Sequence, residues 1–257
     1  MGLREKFGTK SQAMVVGIET GLPRLMLWWT IAASFACGIR VAFAATPVEG
    51  FAHHLMSLAP YVLVVATPVA SLMLALRWFP SGRTLPQPET RLARFGRWRT
   101  IEPREARALP FYGASGLMAS LLLGMLINIP VRALEFLAAM PATGDTPPAW
   151  FATLFALMLF DVVLFSSLYA VAFVAALRHV PLFPRLLAAI WGMDLVMQTL
   201  IARAMGSIAD LPPAVAVALH GLLEGNLKKV LISMALWTPY LLLSRRVNLT
   251  YRSRVPA

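Results

Sequence analysis

The chain alternates between long apolar segments and short polar connections. A helix that crosses a bilayer needs about 20 mostly apolar residues, and five segments meet this length: residues 25–45, 57–79, 111–140, 150–177 and 184–205. A sixth region is less regular, because residues 211–227 are apolar but interrupted and residues 230–243 are strongly apolar but short. We predict that the two parts form one long crossing helix. The alternative is that residues 211–227 lie in the membrane interface.

The composition supports a membrane protein. Of the 257 residues, 58% are hydrophobic and only 14% are charged, whereas a soluble globular chain has about 25% charged residues. The mean hydropathy is +0.69. Such a chain has too little polar surface to cover a water-soluble fold, whereas lipid solvates apolar side chains. We therefore predict an all-α fold, an integral membrane helical bundle with about six transmembrane helices.

The placement of the basic residues predicts an orientation. The net charge is +11, and the arginines and lysines cluster in every second connection and at both ends of the chain. Cytoplasmic connections are rich in Lys and Arg. Six crossings with both termini in the cytoplasm satisfy this rule, and we expect the membrane to be a bacterial inner membrane. Because the basic residues lie between apolar segments, nucleic acid is not a predicted partner.

The chain divides at the predicted helices. Residues 1–24 form a cytoplasmic N-terminal segment, and residues 25–79 hold the first two transmembrane helices. Residues 80–110 form a basic cytoplasmic loop, residues 111–246 a four-helix membrane unit, and residues 247–257 a basic cytoplasmic tail. The loop is either an amphipathic segment on anionic lipid or a solvated basic loop. The predicted partners are the lipid bilayer and anionic lipid head groups, contacted by these arginines: Arg91, Arg94, Arg97, Arg99, Arg245 and Arg246.

Ionisable side chains within the apolar segments are the candidates for function, because each is costly inside a bilayer. Asp161 and Asp194 lie near the middle of the fourth and fifth predicted helices, and Gln198 follows Asp194 by one turn. Arg132 and Glu135 are three residues apart in the third helix, so they can pair on one helix face or line an outward-facing polar cavity. Two interpretations remain open for the aspartates: polar packing between helices, or a path for protons or cations.

A second cluster is predicted on the outer side of the sixth helix. His220 and Glu224 are four residues apart, so they share one helix face. Together with His53 and His54 they have the residue types of a metal site. We nevertheless predict neither a metal site nor a cofactor. The single cysteine, Cys37, permits no internal disulfide.

The closing segment of the chain resembles a known family. Residues 236–251 read LWTPYLLLSRRVNLTY. This segment resembles the closing signature of a bacterial multi-pass membrane family of unknown function, family 2569: a Trp, a Pro-Tyr, then Ser, two basic residues and Val, and finally Thr with an aromatic. Thr238 stands where that family is expected to have an aliphatic residue. The resemblance implies a four-helix membrane unit, preceded here by two helices, and it implies no activity.

Two functions follow from these features. The sequence has no nucleophile elbow, phosphate-binding glycine loop or HExxH motif, so nothing in it indicates an enzyme. We predict a non-catalytic membrane component, an accessory or scaffold subunit, with a membrane-protein partner or a second copy of the chain. The alternative is a small transporter or channel that uses the intramembrane acidic residues.

Overall fold

Most of the described residues are helical. The computed structural model of the protein describes residues 3–46, 51–82, 85–90, 95–143 and 147–257. The elements in chain order are α1 (Leu3–Ala42), α2 (Phe51–Trp78), β1 (Trp98–Thr100), α3 (Pro103–Ala108), α4 (Leu117–Ala139), α5 (Ala149–Leu177), α6 (Phe183–Gly206), α7 (Pro213–Leu243), α8 (Arg245–Arg252) and β2 (Arg254–Pro256).

Five of the described helices are long and apolar enough to cross a membrane. These spans lie in α1, α2, α4, α5 and α6. The protein is therefore a helical membrane bundle, as the sequence predicts. Helix α7 is a single helix of 31 residues, but Glu224, Lys228 and Lys229 lower its hydropathy, and it is not among the five. The count of six crossings stays a prediction.

Helix α5 lies at the centre of the bundle. It packs against α2, α4 and α6, and its side chains Phe165, Ala172 and Phe173 are fully buried. Alanines within α5 allow neighbouring backbones to approach closely, which is how helices associate in lipid. Helix α1 lies at the periphery and packs on α2 and α4. The core is therefore contributed mainly by residues 111–206.

Helix α1 is longer than the sequence predicts. We expected a helix over residues 25–45 after a separate N-terminal segment, but one helix runs from Leu3 to Ala42 with Pro23 inside it. Hydropathy locates the apolar part of a helix and not its ends. In the polar part of α1 the hydroxyl of Thr20 is satisfied within the helix, since its Oγ1 donates to the oxygen of Val16 at 2.9 Å.

The predicted loop and tail pair with each other. Strands β1 and β2 are antiparallel, with Arg99 opposite Val255, and the amide of Ile101 donates to the oxygen of Ser253 at 2.9 Å. Helix α3 packs on α8 through Ala106 and Leu249. Neither strand is expected from the sequence, since a pairing between distant three-residue segments has no local pattern.

The two basic connections and the tail meet at one end of the bundle. The α2–α4 connection joins the tail through the sheet, and Arg185 of α6 donates to Thr90 in the same connection. Arg178, after α5, bonds Glu19 of α1 and Ser81. We call this the basic end. At the opposite end the amide of Ala45 donates to the oxygen of Ala142 at 2.8 Å.

Candidate functional site

Three helices bring one arginine and two aspartates together inside the bundle. Arg132 comes from α4, Asp161 from α5 and Asp194 from α6. At a rise of 1.5 Å per residue, Asp161 lies about 18 Å from the start of α5 and Asp194 about 16 Å from the start of α6. A hydrocarbon layer is about 30 Å thick, so both carboxylates lie far from either end of their helices.

The guanidinium of Arg132 lies between the two carboxylates. Its Nη1 is 3.0 Å from Oδ2 of Asp161, and its Nη2 bonds Oδ2 of Asp194. The side chains of Arg132, Asp161 and Asp194 are 10%, 7% and 0% exposed. Gln198 completes the group, since its Nε2 donates to Oδ1 of Asp161 at 3.1 Å and to Oδ1 of Asp194 at 3.2 Å. All four carboxylate oxygens therefore accept a hydrogen bond.

Polar side chains of α7 continue this network towards the bundle surface. Nδ2 of Asn226 donates to Oε1 of Gln198, and Nζ of Lys229 donates to Oδ1 of Asn226, each at 3.4 Å. Lys229 also pairs with Glu135 of α4, and this outer pair is partly exposed, at 56% and 30%. The network therefore runs without a break from Asp161 to the face between α4 and α7.

Aromatic rings cover the inner side of the arginine. Cζ of Arg132 lies 4.7 Å from the ring centroid of Phe165 and 5.9 Å from that of Tyr169. Such contacts attract a cation by about 0.5–2 kcal/mol, with more when it is desolvated. They hold the guanidinium in place and close the site on the α5 side.

A small polar cavity adjoins the network on the α4–α7 side. It holds about 40 Å³, and its lining includes Asn128, Arg132, Asp194 and Lys229. Two buried donors beside it, Nδ2 of Asn128 and Nε of Arg132, have no protein acceptor. A water needs about 10–15 Å³ of such space and two to four polar partners. The cavity therefore suits a hydrogen-bond acceptor the size of water next to the arginine.

The network has more acidic than basic groups. The inner group contains one guanidinium and two carboxylates, and the outer pair of Lys229 and Glu135 is balanced. With all groups ionised, one excess negative charge remains in the bundle. Since an uncompensated charge is costly at this depth, the arrangement can take up one proton or one monovalent cation.

All five residues of the predicted polar pathway lie in this network: Arg132, Glu135, Asp161, Asp194 and Gln198. Of the two alternatives for Arg132 and Glu135, the local pair is not formed, because Arg132 pairs with the aspartates and Glu135 with Lys229. Both residues line the small polar cavity. Asn226 and Lys229 were not predicted. They are three residues apart in an apolar helix, the same signal that singled out Arg132 and Glu135.

The second predicted cluster does not join the network. His220 is exposed on α7, and Glu224 pairs with Lys228 at 2.7 Å along the helix surface. The side chains of His53 and His54 lie outside the described residues. Within the part of the chain that the structure describes, no three His, Cys, Asp or Glu residues are placed to hold a metal ion.

The arginines predicted to contact lipid have different surroundings. Arg91 and Arg94 lie outside the described residues, whereas Arg97, Arg99 and Arg245 are exposed at the basic end. Arg246 is directed into the protein instead, since its Nη1 donates to Oγ of Ser115 at 2.6 Å.

Comparisons of the chain with protein-family models, with curated proteins and with solved structures found no match. The resemblance of the closing segment to family 2569 remains a prediction.

Proposed function

We propose that the chain crosses a bacterial inner membrane six times, with both termini in the cytoplasm. Helix α7 supports the sixth crossing, because its 31 residues extend about 46 Å and its ionic side chains Lys228 and Lys229 pair with carboxylates. The meeting of the two basic connections and the tail at one end supports the orientation, given that basic segments are cytoplasmic.

Cysteine labelling tests this topology. In a chain with Cys37→Ala, single cysteines replace Thr90 in the basic loop and Gly144 in the predicted outer connection. A membrane-impermeant thiol reagent added to sealed, right-side-out vesicles should label position 144 and leave position 90 unlabelled until the membrane is opened. Labelling of both positions from the same side contradicts the topology.

Within this membrane protein, the network of Arg132, Asp161 and Asp194 is a proton site, and the chain is a small proton transporter or channel. The single observation that carries this function is the excess of one buried carboxylate. A metal cation fits less well than a proton, because the guanidinium already occupies the position between the two carboxylates. Gln198, Asn226 and Lys229 extend the polar network from this site towards the α4–α7 face.

A second function, that of an accessory or scaffold subunit, is favoured by a different observation. All four carboxylate oxygens of Asp161 and Asp194 accept hydrogen bonds, and the network ties α4, α5, α6 and α7 together. A fully satisfied buried network rigidifies a fold, which suits a structural subunit. In this second function, Asp161 and Asp194 fix the positions of the helices and do not transfer protons.

Proton flux distinguishes the two functions. The purified chain is reconstituted into liposomes that contain a pH-sensitive dye, and a potassium diffusion potential drives protons inward. We expect wild type to acidify the lumen faster than empty liposomes, and Asp194→Asn to reduce the flux to background. Asp194→Asn should still fold, because Arg132 and Asp161 then form a neutral pair.

Glu105→Gln provides a matched control, since it removes an exposed carboxylate of α3 that lies outside the network and outside the membrane helices. Its flux should equal that of wild type. Wild-type flux no greater than that of empty liposomes, or full flux in Asp194→Asn, refutes the transport function. The aspartates are structural if Asp194→Asn instead fails to accumulate in the membrane.

A further inference from the structure

A cavity at the basic end is surrounded by positive charge. It holds about 280 Å³ and lies between the start of α6, the end of α7 and the tail. Three arginines line it, Arg185, Arg252 and Arg254, and no acidic residue is among the described residues of its wall. The cavity lies at the start of α6, whereas the predicted outer connection that follows α6 lies at its other end. The cavity shares no residue with the proton network.

The fold of the tail directs two arginines into this cavity. Arg252 ends α8, and Ser253 then adopts a left-handed conformation with a φ of 49°. This residue turns the chain into β2, where Arg254 pairs with Thr100 of β1. Arg254 is only 9% exposed, so the sheet holds a guanidinium-bearing residue inside the protein and not on its surface.

The three arginines repel one another. Burial, and then the positive charges of Arg254 and Arg185, lowers the pKa of Arg252 from 12.5 to about 10. The hydrogen bonds of Arg185 and Arg252 go to neutral groups, among them Oγ1 of Thr90 at 3.0 Å and the oxygen of Leu241 at 2.7 Å. An anion in the cavity offsets this repulsion, and guanidinium groups match the oxygens of phosphate in a bidentate geometry.

Part of the remaining wall of the cavity is apolar, beside the polar side chains Gln87 and Thr100. Leu242 belongs to the last turn of α7, and Pro184 and Ala188 belong to the first turns of α6. The ends of membrane helices lie at the level of the lipid head groups. The cavity thus presents a basic side and an apolar side at this level, as an anionic lipid requires.

We propose that this cavity binds a phosphate group, either in the head group of an anionic phospholipid or as free phosphate in the cytoplasm. The chemistry is the same for both sources: two or three guanidinium groups donate to the phosphate oxygens. For a lipid, the glycerol and the acyl chains follow the apolar wall of α6 and α7.

Binding is measured on the whole protein in nanodiscs of phosphatidylcholine. The two probes are phosphatidylglycerol, mixed into the disc, and inorganic phosphate, added to the buffer. Native mass spectrometry after release from the disc counts the retained lipid, and thermal unfolding monitors stabilisation by either probe. We expect wild type to retain one phosphatidylglycerol or to be stabilised by phosphate.

Arg185→Gln and Arg254→Gln should each weaken binding about tenfold, the loss of one charge-assisted contact. Arg104→Gln is the matched control, because Arg104 is exposed on α3 at the same end and does not line the cavity. Should Arg254→Gln unfold the tail, Arg185→Gln carries the test, since its bonds are to an exposed connection. Arg185→Lys, which keeps the charge, should retain most of the binding.

The two probes identify the source of the phosphate. Stabilisation by inorganic phosphate in pure phosphatidylcholine, lost in the cavity variants, assigns the site to soluble phosphate. Retention of phosphatidylglycerol alone, with the same dependence on Arg185 and Arg254, assigns it to lipid. Equal losses in Arg104→Gln and in the cavity variants overturn the proposal, as does the absence of binding of either probe. Either result leaves the proton function to its own test, since no residue is shared.

Discussion

Removal of the Arg132 guanidinium should destabilise the protein more than removal of either aspartate. Arg132→Met keeps an unbranched apolar side chain against Phe165 but leaves Asp161 and Asp194 together without a counter-charge. Gln198 still donates to both carboxylates, and its neutral amide does not compensate for the lost charge.

The size of the effect follows from the burial of the group. Removing one partner of a buried ion pair costs about 3–5 kcal/mol, and the lost contact of the cation with Phe165 adds about 1 kcal/mol. We expect a loss of about 5 kcal/mol. In a chain of this size, 1 kcal/mol shifts the melting temperature by about 2–4 °C, so Arg132→Met should melt at least about 10 °C below wild type.

A neutral version of the site should restore stability. In the triple variant Arg132→Met, Asp161→Asn, Asp194→Asn no charge remains, and replacing a whole buried ion group by uncharged residues is often close to neutral. We expect the triple variant to recover most of the 10 °C shift. Melting is followed in detergent by size-exclusion chromatography after heating, with Arg203→Met as control because Arg203 is exposed on α6.

Two results refute this reasoning. If Arg132→Met melts within about 2 °C of wild type, a change worth less than about 1 kcal/mol, then the guanidinium does not neutralise the aspartates. If the triple variant is no more stable than Arg132→Met, then the loss comes from packing and not from unpaired charge.

Three further predictions use the same melting assay. Burial, and then the charges of nearby arginines, lowers the pKa of His179 from 6.5 to about 4. As the pH falls, the unfolded chain therefore takes up a proton at this residue before the folded chain does. The free energy of unfolding should decrease below about pH 6.5, by about 2 kcal/mol at about pH 5. His179→Asn, which tolerates the left-handed backbone there, should lose this pH dependence, and an unchanged dependence contradicts the assignment. Lys229→Gln should cost about 3 kcal/mol, since it leaves Glu135 without its partner beside the middle of α7, and a loss below about 1 kcal/mol contradicts the sixth crossing. Tyr251→Phe should cost about 1 kcal/mol, because the buried hydroxyl donates to the oxygen of Ala176 at 2.8 Å, and no change shows that this bond contributes nothing.

The members of the buried network could be predicted from the sequence, but their partners could not. Polarity in the middle of an apolar helix singles out Asp161, Asp194 and Gln198 without any knowledge of the fold. Spacing of three or four residues then shows which side chains share a helix face. It contains no information on how neighbouring helices are rotated, and this rotation directs Arg132 to the aspartates and Glu135 to Lys229.

The structure of the basic end could also be predicted only in part from the sequence. Charge patterning groups the basic connections on one side, and they do meet at one end, but it does not reveal that Arg99 and Val255 lie in paired strands. The pairing depends on α7 and α8 bringing the tail back to the α2–α4 connection. The left-handed Ser253 is also invisible in the sequence, because serine has no preference that marks such a turn.

Helix α7 explains why hydropathy alone undercounts the proposed crossings. Its charges lower the hydropathy of the segment, yet Lys228 pairs with Glu224 and Lys229 with Glu135, and Asn226 bonds Gln198. Pairing and hydrogen bonding reduce the cost of polar groups inside a bilayer, so the cost of inserting α7 is lower beside α4 and α6 than alone. A sixth crossing of this kind depends on the polar network for its place in the membrane. The network of the proposed proton site would then also hold the last helix in the bundle. The stability of Arg132→Met and the proton flux of Asp194→Asn must therefore be measured on the same preparations.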